Sequence, residues 1–380
     1  MLKTPPLSLY IHFPWCVRKC PYCDFNSHTL RTDLPENVYI NALIEDLDQT
    51  LPKVKDRPLI SIFMGGGTPS LFSPDAIQLL LNAVKKRIEF STNIEITLEA
   101  NPGTVEYQRF DGYRAAGINR LSIGIQSFQN QKLKALGRIH DGNEAINAVI
   151  AGKAAGFNNI NIDLMHGLPG QTLQECLEDL NSAFKLEPSH LSWYQLTLEP
   201  NTEFAVRPPI LPLDDTIWEL QEQAKLQLEK HAYTQYEISA YSKKDQMCQH
   251  NRNYWEFGDY LGIGAGAHSK LSDEKNQTIT RAWKYKNPKD YLERKNNFSA
   301  EEKIIPKAEL AFEFMLNALR LHYPIPIKLF EQRTGLAFTT LTKPLLEAKE
   351  LGLLEIINSN FQLTDSGKRF YNDLVQLFLA

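Results

Sequence analysis

The feature that most constrains the fold of this 380-residue chain is a repeated alternation of short, β-rich apolar runs with helical patterns. The runs cover 7–13, 59–64, 94–98, 120–125, 160–165 and 191–198. One intervening helix is well marked: Ser73 stands as N-cap, Pro74 at the first helical position, and Asp75 near the positive end of the dipole. Its apolar residues Ile77, Leu80, Leu81, Val84 and Ile88 keep helical spacing. Strand–helix alternation predicts a parallel sheet with right-handed crossovers. Six such units point to a barrel, closed or partial, more than to a doubly wound sheet.

The pattern changes past about residue 200, where Pro200, Pro208, Pro209 and Pro212 punctuate a loop. A helix is predicted over 214–231, a strand-like stretch over 233–241 and a helix over 301–321, with a glycine-rich stretch over 258–269. Then come a helix over 341–351, a hairpin of 354–357 and 361–364 around Asn358-Ser359-Asn360, and a closing helix over 366–378. Helices followed by a two-stranded wing suggest a small winged-helix-like domain.

Forty-one basic and forty-five acidic residues give a net charge of −4, so no bulk pull toward nucleic acid or anionic lipid is expected. No apolar run reaches the roughly 18 residues of a membrane span. The start, Met-Leu-Lys-Thr-Pro-Pro, lacks the apolar stretch of a secretory signal, and the expected location is the cytoplasm. Five cysteines, an odd number, argue against a disulfide framework.

Three of those cysteines, Cys16, Cys20 and Cys23, directly follow the first strand. Three thiolates on one loop can hold three irons of a [4Fe–4S] cluster and leave the fourth open. An open iron can bind the amino and carboxylate groups of S-adenosylmethionine. Electron transfer into the sulfonium then breaks a C–S bond and gives a 5′-deoxyadenosyl radical. The alternative is a structural zinc, with His12 or His28 completing a Cys3His set. Cys176, in a helical stretch, reads as an inert buried thiol.

Further polar residues fall where a barrel places its site, at the C-terminal ends of strands. Gly65-Gly66-Gly67-Thr68-Pro69 ends the second strand, and missing Cβ atoms let main-chain groups approach a ligand. Glu99 and Gln126 follow the third and fourth strands, Asp163 lies in the fifth, and Arg138 is in a loop after 133–136.

The cysteine loop and the Gly-Gly-Thr-Pro element resemble the radical SAM superfamily. Four stretches narrow the likeness: Tyr10-Ile11-His12-Phe13-Pro14-Trp15-Cys16, Leu98-Glu99-Ala100-Asn101-Pro102-Gly103, Ser122-Ile123-Gly124-Ile125-Gln126-Ser127-Phe128 and Asp163-Leu164-Met165-His166-Gly167-Leu168-Pro169-Gly170. They are similar to the oxygen-independent coproporphyrinogen III oxidases and their relatives. The resemblance implies an α/β fold: a radical SAM partial (β/α)6 TIM-type barrel over 1–200, an α/β extension closing it over 201–300, and a small C-terminal winged-helix-like domain over 301–380. It also implies that Cys16, Cys20 and Cys23 ligate the cluster. Tyr10, Tyr22, Gly66, Gly67, Thr68, Glu99, Gln126, Arg138 and Asp163 would contact S-adenosylmethionine.

Two departures separate the chain from the true oxidases. Those carry a fourth cysteine two residues after the third, where Phe25 stands here, and an N-terminal extension before the cluster loop. Both speak against decarboxylation of coproporphyrinogen and match the sister branch of haem chaperones. That branch binds haem and delivers it to haem-requiring proteins, notably of the respiratory chain. The expected partners are therefore haem, such acceptors and an electron donor, with no nucleic acid and at most peripheral membrane association.

His250-Asn251-Arg252-Asn253-Tyr254-Trp255 resembles the branch's His-Asn-x-x-Tyr sequence, and imidazole, phenolate and thiolate all ligate haem elsewhere. His250 is the first ligand candidate. Tyr254, His268, and the nearby Met247 and Cys248 are alternatives, and a Tyr-Trp pair is also ordinary packing. The glycine-rich 261–269 segment is not a dinucleotide fingerprint and reads as a loop closing on the adenosine or tetrapyrrole pocket. Two other readings remain: the coproporphyrinogen III dehydrogenase, and a zinc-stabilised nucleic-acid-binding protein, which the acidic balance disfavours.

Overall fold

A computed structural model describes residues 1–54, 56–294 and 297–379. Among these, twelve strands form one sheet. In chain order they are β1 (Leu7–Phe13), β2 (Leu59–Gly66), β3 (Phe90–Ala100), β4 (Arg120–Gln126), β5 (Asn159–His166) and β6 (His190–Gln195). Then follow β7 (Thr234–Glu237), β8 (Ala240–Ser242), β9 (Asp259–Ile263), β10 (His268–Asp273), β11 (Thr278–Lys284) and β12 (Ser299–Ile304). The spatial order is β12-β11-β10-β9-β1-β2-β3-β4-β5-β6-β8-β7.

β1 to β6 pair in parallel, as their apolar runs require. Helices lie between them, among them Glu36–Thr50, Pro74–Lys85, Gly142–Ala154 and Leu173–Lys185. Pro74–Lys85 begins as its sequence dictates, with Ser73 Oγ accepting the N–H of Ala76 at 3.2 Å. Capping boxes at Asp141/Glu144 and Thr172/Glu175 fix two more starts. The arrangement is a partial barrel in which the strand ends and following loops of β1 to β6 face one mouth.

Several predicted elements differ. The 261–269 segment is not one loop but a strand end, a tight turn over 264–267 and the start of a returning strand. Asp259–Ile263 is a seventh parallel strand, on the far side of β1, and His268–Asp273 returns antiparallel to it. Gly262 suits that turnback, because a Cβ there would lie 2.1 Å from the His268 carbonyl oxygen. The 233–241 stretch is a hairpin of two short strands. Only Leu310–Ala318 of the 301–321 stretch is helical; its start belongs to β12, an exposed edge strand paired with β11. The closing helix is two helices, Asp365–Arg369 and Tyr371–Gln376, broken at Phe370.

Buried polar groups tie the added strands to the barrel. Asp46, on Glu36–Thr50, pairs with Lys284 and accepts from Gly264 N–H at 3.1 Å and Tyr291 O–H at 2.8 Å. Asp259 pairs with Lys270 at 3.2 Å and Arg57 at 2.9 Å. A second apolar core gathers Leu310, Phe314, Phe330, Leu345 and Phe361, with Leu2, Phe257 and Ile279 from the sheet side. Beside it is a three-stranded sheet of Ile325–Pro326, Leu354–Ile357 and Asn360–Leu363. Asn358 and Ser359, at φ 49° and 61°, make the tight turn of its hairpin. Among the described residues no helix is long and apolar enough to cross a membrane.

Candidate functional site

Two cavities open at the barrel mouth. The smaller, about 260 Å³, is lined by Cys16, Cys20, Cys23, Tyr22, Gly66, Gly67, Thr68, Glu99, Gln126, Arg138 and Asp163. Eleven of the thirteen predicted site residues thus share one space. The other two, Tyr10 and His250, line the larger cavity, about 760 Å³. Phe25, Ser27, Gly66 and Glu99 belong to both walls.

The cysteine loop is pinned to the sheet by main-chain bonds. His28 N–H donates to Pro14, Leu30 N–H to Cys16, and Thr68 N–H to Trp15 at 2.7 Å. Gly67 must be glycine: its N–H donates to the Phe13 carbonyl at 2.6 Å, and a Cβ would lie 2.6 Å from the Trp15 carbonyl oxygen. Gly66 takes φ +107°, and a Cβ there would strike the His12 ring. Burial pushes the Cys16 and Cys23 thiols up; Thr68 beside Cys16 and Ser27 beside Cys23 pull the other way. The Arg138 guanidinium is 3.6 Å from Cys20 Sγ. Burial works against its charge, but Tyr22 and Cys20 more than offset this and its pKa rises. Among the described residues no group of three His, Cys, Asp or Glu side chains could by itself hold a metal ion. The chemistry of the donor set, three thiols on one wall beside a buried cation, fits a cluster bound one iron per thiolate.

The strand-end residues are held by one another. Arg138 donates to Asn101 Oδ1 at 2.7 Å and the Gly124 carbonyl at 2.6 Å, and Asn101 donates to Thr68 Oγ1 at 3.0 Å. β4 breaks register with β5 between Gly124 and Gln126, and Gln126 takes φ +71°. Tyr194 O–H donates to its Oε1 at 2.8 Å. Asp163 accepts from Asn161 Nδ2 at 2.7 Å. Glu99 accepts Gly66 N–H at 3.1 Å, and burial, then the Asp163 charge, push its carboxyl up to about 8.

In the larger cavity Tyr10, Phe63, Tyr254, Trp255 and Tyr260 supply aromatic surface. His12 Nε2 is 2.8 Å from the Asn26 carbonyl, which can only accept, so Nε2 carries the proton and Nδ1 accepts from Tyr10 O–H at 3.0 Å. His250 is 7% exposed, and its Nδ1 is 3.1 Å from Ser61 Oγ. Ser61 donates to Ser8 Oγ at 2.7 Å and so accepts from Nδ1. The unprotonated Nε2 has no hydrogen-bond partner among the described residues. Burial, then Arg120, lowers the His250 pKa to about 3, so the ring is neutral.

The helix Gln249–Trp255 that carries His250 is seated on Glu95. That carboxylate accepts from Gln249 N–H and His250 N–H, both at 3.1 Å. Cys248 Sγ donates to Glu95 at 3.4 Å and is fully buried, so it lines neither cavity. Tyr254 and His268 do line the larger one. Cys176 is buried, and burial pushes its thiol up to about 12. Sequence reasoning missed Asn101, Ser122 and Tyr194 in the smaller cavity and Phe63, Lys19 and Lys286 in the larger. Tyr194 could have been found from its place near the end of the sixth strand; Lys286 carries no local signal.

Comparison with known proteins gives full-length relatives. The chain is 53% identical to the heme chaperone HemW of Haemophilus influenzae, covering 100% of both chains. It is 48% identical to HemW of Escherichia coli, again over 100% of both. It belongs to the HemW family. HemW of Bacillus subtilis is 32% identical over 98% of this chain and 99% of its own length. The radical SAM superfamily model matches residues 10–183, and the HemN C-terminal domain model matches residues 305–370. Among solved structures, coproporphyrinogen III oxidase (HemN) of Escherichia coli, described as a radical SAM enzyme, superposes with a TM-score of 0.83. It is 23% identical and covers 99% of this chain and 91% of its own, a likeness of fold.

Proposed function

We propose that this chain is a haem chaperone that holds a [4Fe–4S] cluster and S-adenosylmethionine in the smaller cavity and haem in the larger. It would pass haem to haem-requiring acceptors, of the respiratory chain in particular, and receive electrons from a separate donor. The observation that carries the reading is the shared wall of Phe25, Ser27, Gly66 and Glu99 between the two cavities. A tetrapyrrole needs a large, mostly apolar cleft, and the larger cavity has that size and lining.

In this reading Cys16, Cys20 and Cys23 hold the cluster. When bound, a cluster with an open iron supplies one-electron reduction of the sulfonium. The chain's own residues position the cosubstrate. Main-chain groups of Gly66 and Gly67 and the Glu99 carboxyl take its amino end, Thr68 and Arg138 stiffen that wall, and Gln126, Asp163 and Tyr22 take the ribose and adenine. Tyr10 lies on the haem side, 6.3 Å from His250 between ring centroids. The free Nε2 of neutral His250 supports it as the residue that would hold haem iron, because a neutral imidazole is the metal-binding form. The same reading divides the chain into a barrel core over 1–200, an extension over 201–300 and a C-terminal unit over 301–380. The second apolar core, drawn mainly from residues 305–378 with Leu2, Phe257 and Ile279 from the sheet side, supports the last division.

Phe25 is 60% exposed and stands at the mouth of both cavities, where the oxidases carry a fourth cysteine. An apolar side chain there gives a flat ligand a packing surface and offers no thiol. The test is anaerobic reconstitution with iron and sulfide, followed by titration with haem, and separately with coproporphyrinogen III plus S-adenosylmethionine. A stoichiometric Soret shift without protoporphyrinogen formation is the expected result. Decarboxylated product without stable haem binding would overturn it.

A further inference from the structure

One rim of the larger cavity carries positive and hydrogen-bond-donating groups that the proposed function has not used. They are Lys19 and His28 on the cysteine loop, His268 at the start of β10, and Lys286 in the bend that follows β11. Lys19 Nζ is aimed by two main-chain carbonyls, of Phe25 at 3.1 Å and Ser27 at 3.2 Å. An ammonium has three N–H donors, so one remains. Asn26 bolts the two halves of the rim together by donating to the Ala265 and Lys286 carbonyls, both at 2.9 Å. Within each half a lysine acts on a histidine, Lys19 on His28 and Lys286 on His268.

The rim is separated from His250 by two rings. His12 touches Asn26 on one side and Tyr10 on the other, and Tyr10 in turn faces His250. The cavity is therefore polarised. Its lysines stand at the cysteine-loop rim, and Tyr254 and Trp255 belong to the helix that carries His250.

Two acidic side chains line the cavity, Asp24 and Glu99. Glu99 lies at the shared wall, and its raised pKa of about 8 leaves it mostly protonated at neutral pH. Burial and the neighbouring lysines lower the pKa values of His28 and His268. His28 Nε2–H is already given to Asn26 Oδ1 at 3.3 Å, so of the two rings only His268 has an N–H left to donate. Against Asp24 the two lysines leave the rim with one net positive charge.

We propose that this rim is a carboxylate-recognition edge. It seats the two propionates of haem on Lys19 and Lys286, with His268 as a supplementary donor, and so sets the direction in which the macrocycle enters. The inference rests on the haem reading above and adds an orientation to it. Charge-assisted bonds from ammonium to carboxylate are the strong class of hydrogen bond, and a fixed pair of them selects one edge of an otherwise near-symmetric disc.

The test compares haem with its dimethyl ester, which keeps the ring and iron and removes both charges. Each is titrated by Soret absorbance into reconstituted wild type, Lys286→Ala, Lys286→Glu and Lys19→Ala. Wild type should bind haem about tenfold more tightly than the ester, and added salt should narrow the gap. Lys286→Glu should weaken haem about tenfold and leave the ester unchanged. The Lys286 side chain makes no hydrogen bond among the described residues, so this variant should fold as wild type does, whereas Lys19→Ala removes two loop bonds. Equal wild-type affinity for the two ligands, or unchanged haem affinity in Lys286→Glu, would overturn the edge while leaving the chaperone reading intact. A wild type that binds neither ligand would overturn the chaperone reading itself.

Discussion

The Glu99 carboxyl accepts the Gly66 main-chain N–H at 3.1 Å and belongs to the walls of both cavities. Its pKa, pushed up to about 8 from an ordinary 4.5, follows from burial first and the Asp163 charge second. The folded chain then holds a proton that the unfolded chain releases between those pH values. Stability from this group therefore falls as pH rises from about 4.5 through 8. Glu99→Gln cannot ionise and removes that slope. Denaturant titrations of the metal-free protein at about pH 6 and pH 9 should show wild type losing stability relative to the variant. Parallel behaviour of the two proteins would contradict the assignment.

Replacing any one of Cys16, Cys20 and Cys23 by Ala should abolish a stable cluster, because each iron loses its only protein ligand. Iron and sulfide assays after anaerobic reconstitution should fall from near four of each per chain, the content of a [4Fe–4S] cluster, to a small residue. Full retention in Cys23→Ala would point to a ligand outside the loop.

Gly67→Ala would set a methyl 2.6 Å from the Trp15 carbonyl oxygen and 2.7 Å from that of Phe13, both main chain. Neither can swing aside as a side-chain tip can. Forced overpacking of this sort costs about 1–3 kcal/mol. Thermal melting of the metal-free protein should register the loss, and cluster uptake should fall as the loop moves. An unchanged melting temperature would contradict the close approach.

Glu95→Ala should be among the costliest single changes. It strips acceptors from Gln249 and His250 N–H and removes the acid beside Arg120, which is 2% exposed and has no hydrogen-bond partner for Nε. Uncompensating a buried charge costs about 3–5 kcal/mol. The variant should also bind haem more weakly, since His250 rides on the helix Glu95 seats. Glu95→Gln, which keeps the shape and one acceptor, should recover part of both. A variant with normal haem affinity would detach His250 from this support.

Tyr194→Phe removes one hydrogen bond, to Gln126 Oε1. Stability should drop by about 1 kcal/mol. Affinity for S-adenosylmethionine should drop severalfold, because Gln126 sits at a register break and loses the group that fixes its amide. Equilibrium binding to the reconstituted protein checks this, and unchanged affinity would remove Gln126 from the site.

Much of the barrel was legible because its signals are local. Apolar runs a few residues long, Ser73 with Pro74, and the spacing of three cysteines each act within one turn or strand. The errors have a common origin in pairing. Glu301, Glu302 and Lys303 favour a helix by intrinsic propensity, yet they lie in an exposed edge strand because β11 offers them a ladder. The glycines of 258–266 look like loop residues. Gly262 is in a strand because the chain turns back so tightly that no Cβ fits.

Eleven residues that line the smaller cavity could be gathered from sequence because the parallel barrel sends consecutive strand ends to one mouth. By itself the sequence determined the strand–helix order, the thiol loop and the glycine turn, all written in short windows of periodicity and residue type. Only the tertiary structure decided that there are two cavities with a common wall, and that Lys19 and Lys286, far apart in the chain, share a rim. It also decided that His250 faces a cavity with Nε2 free while Cys248, two residues away, is turned into the barrel floor. Those facts depend on which distant surfaces meet, and a two-residue step at the start of a short helix changes what a side chain touches.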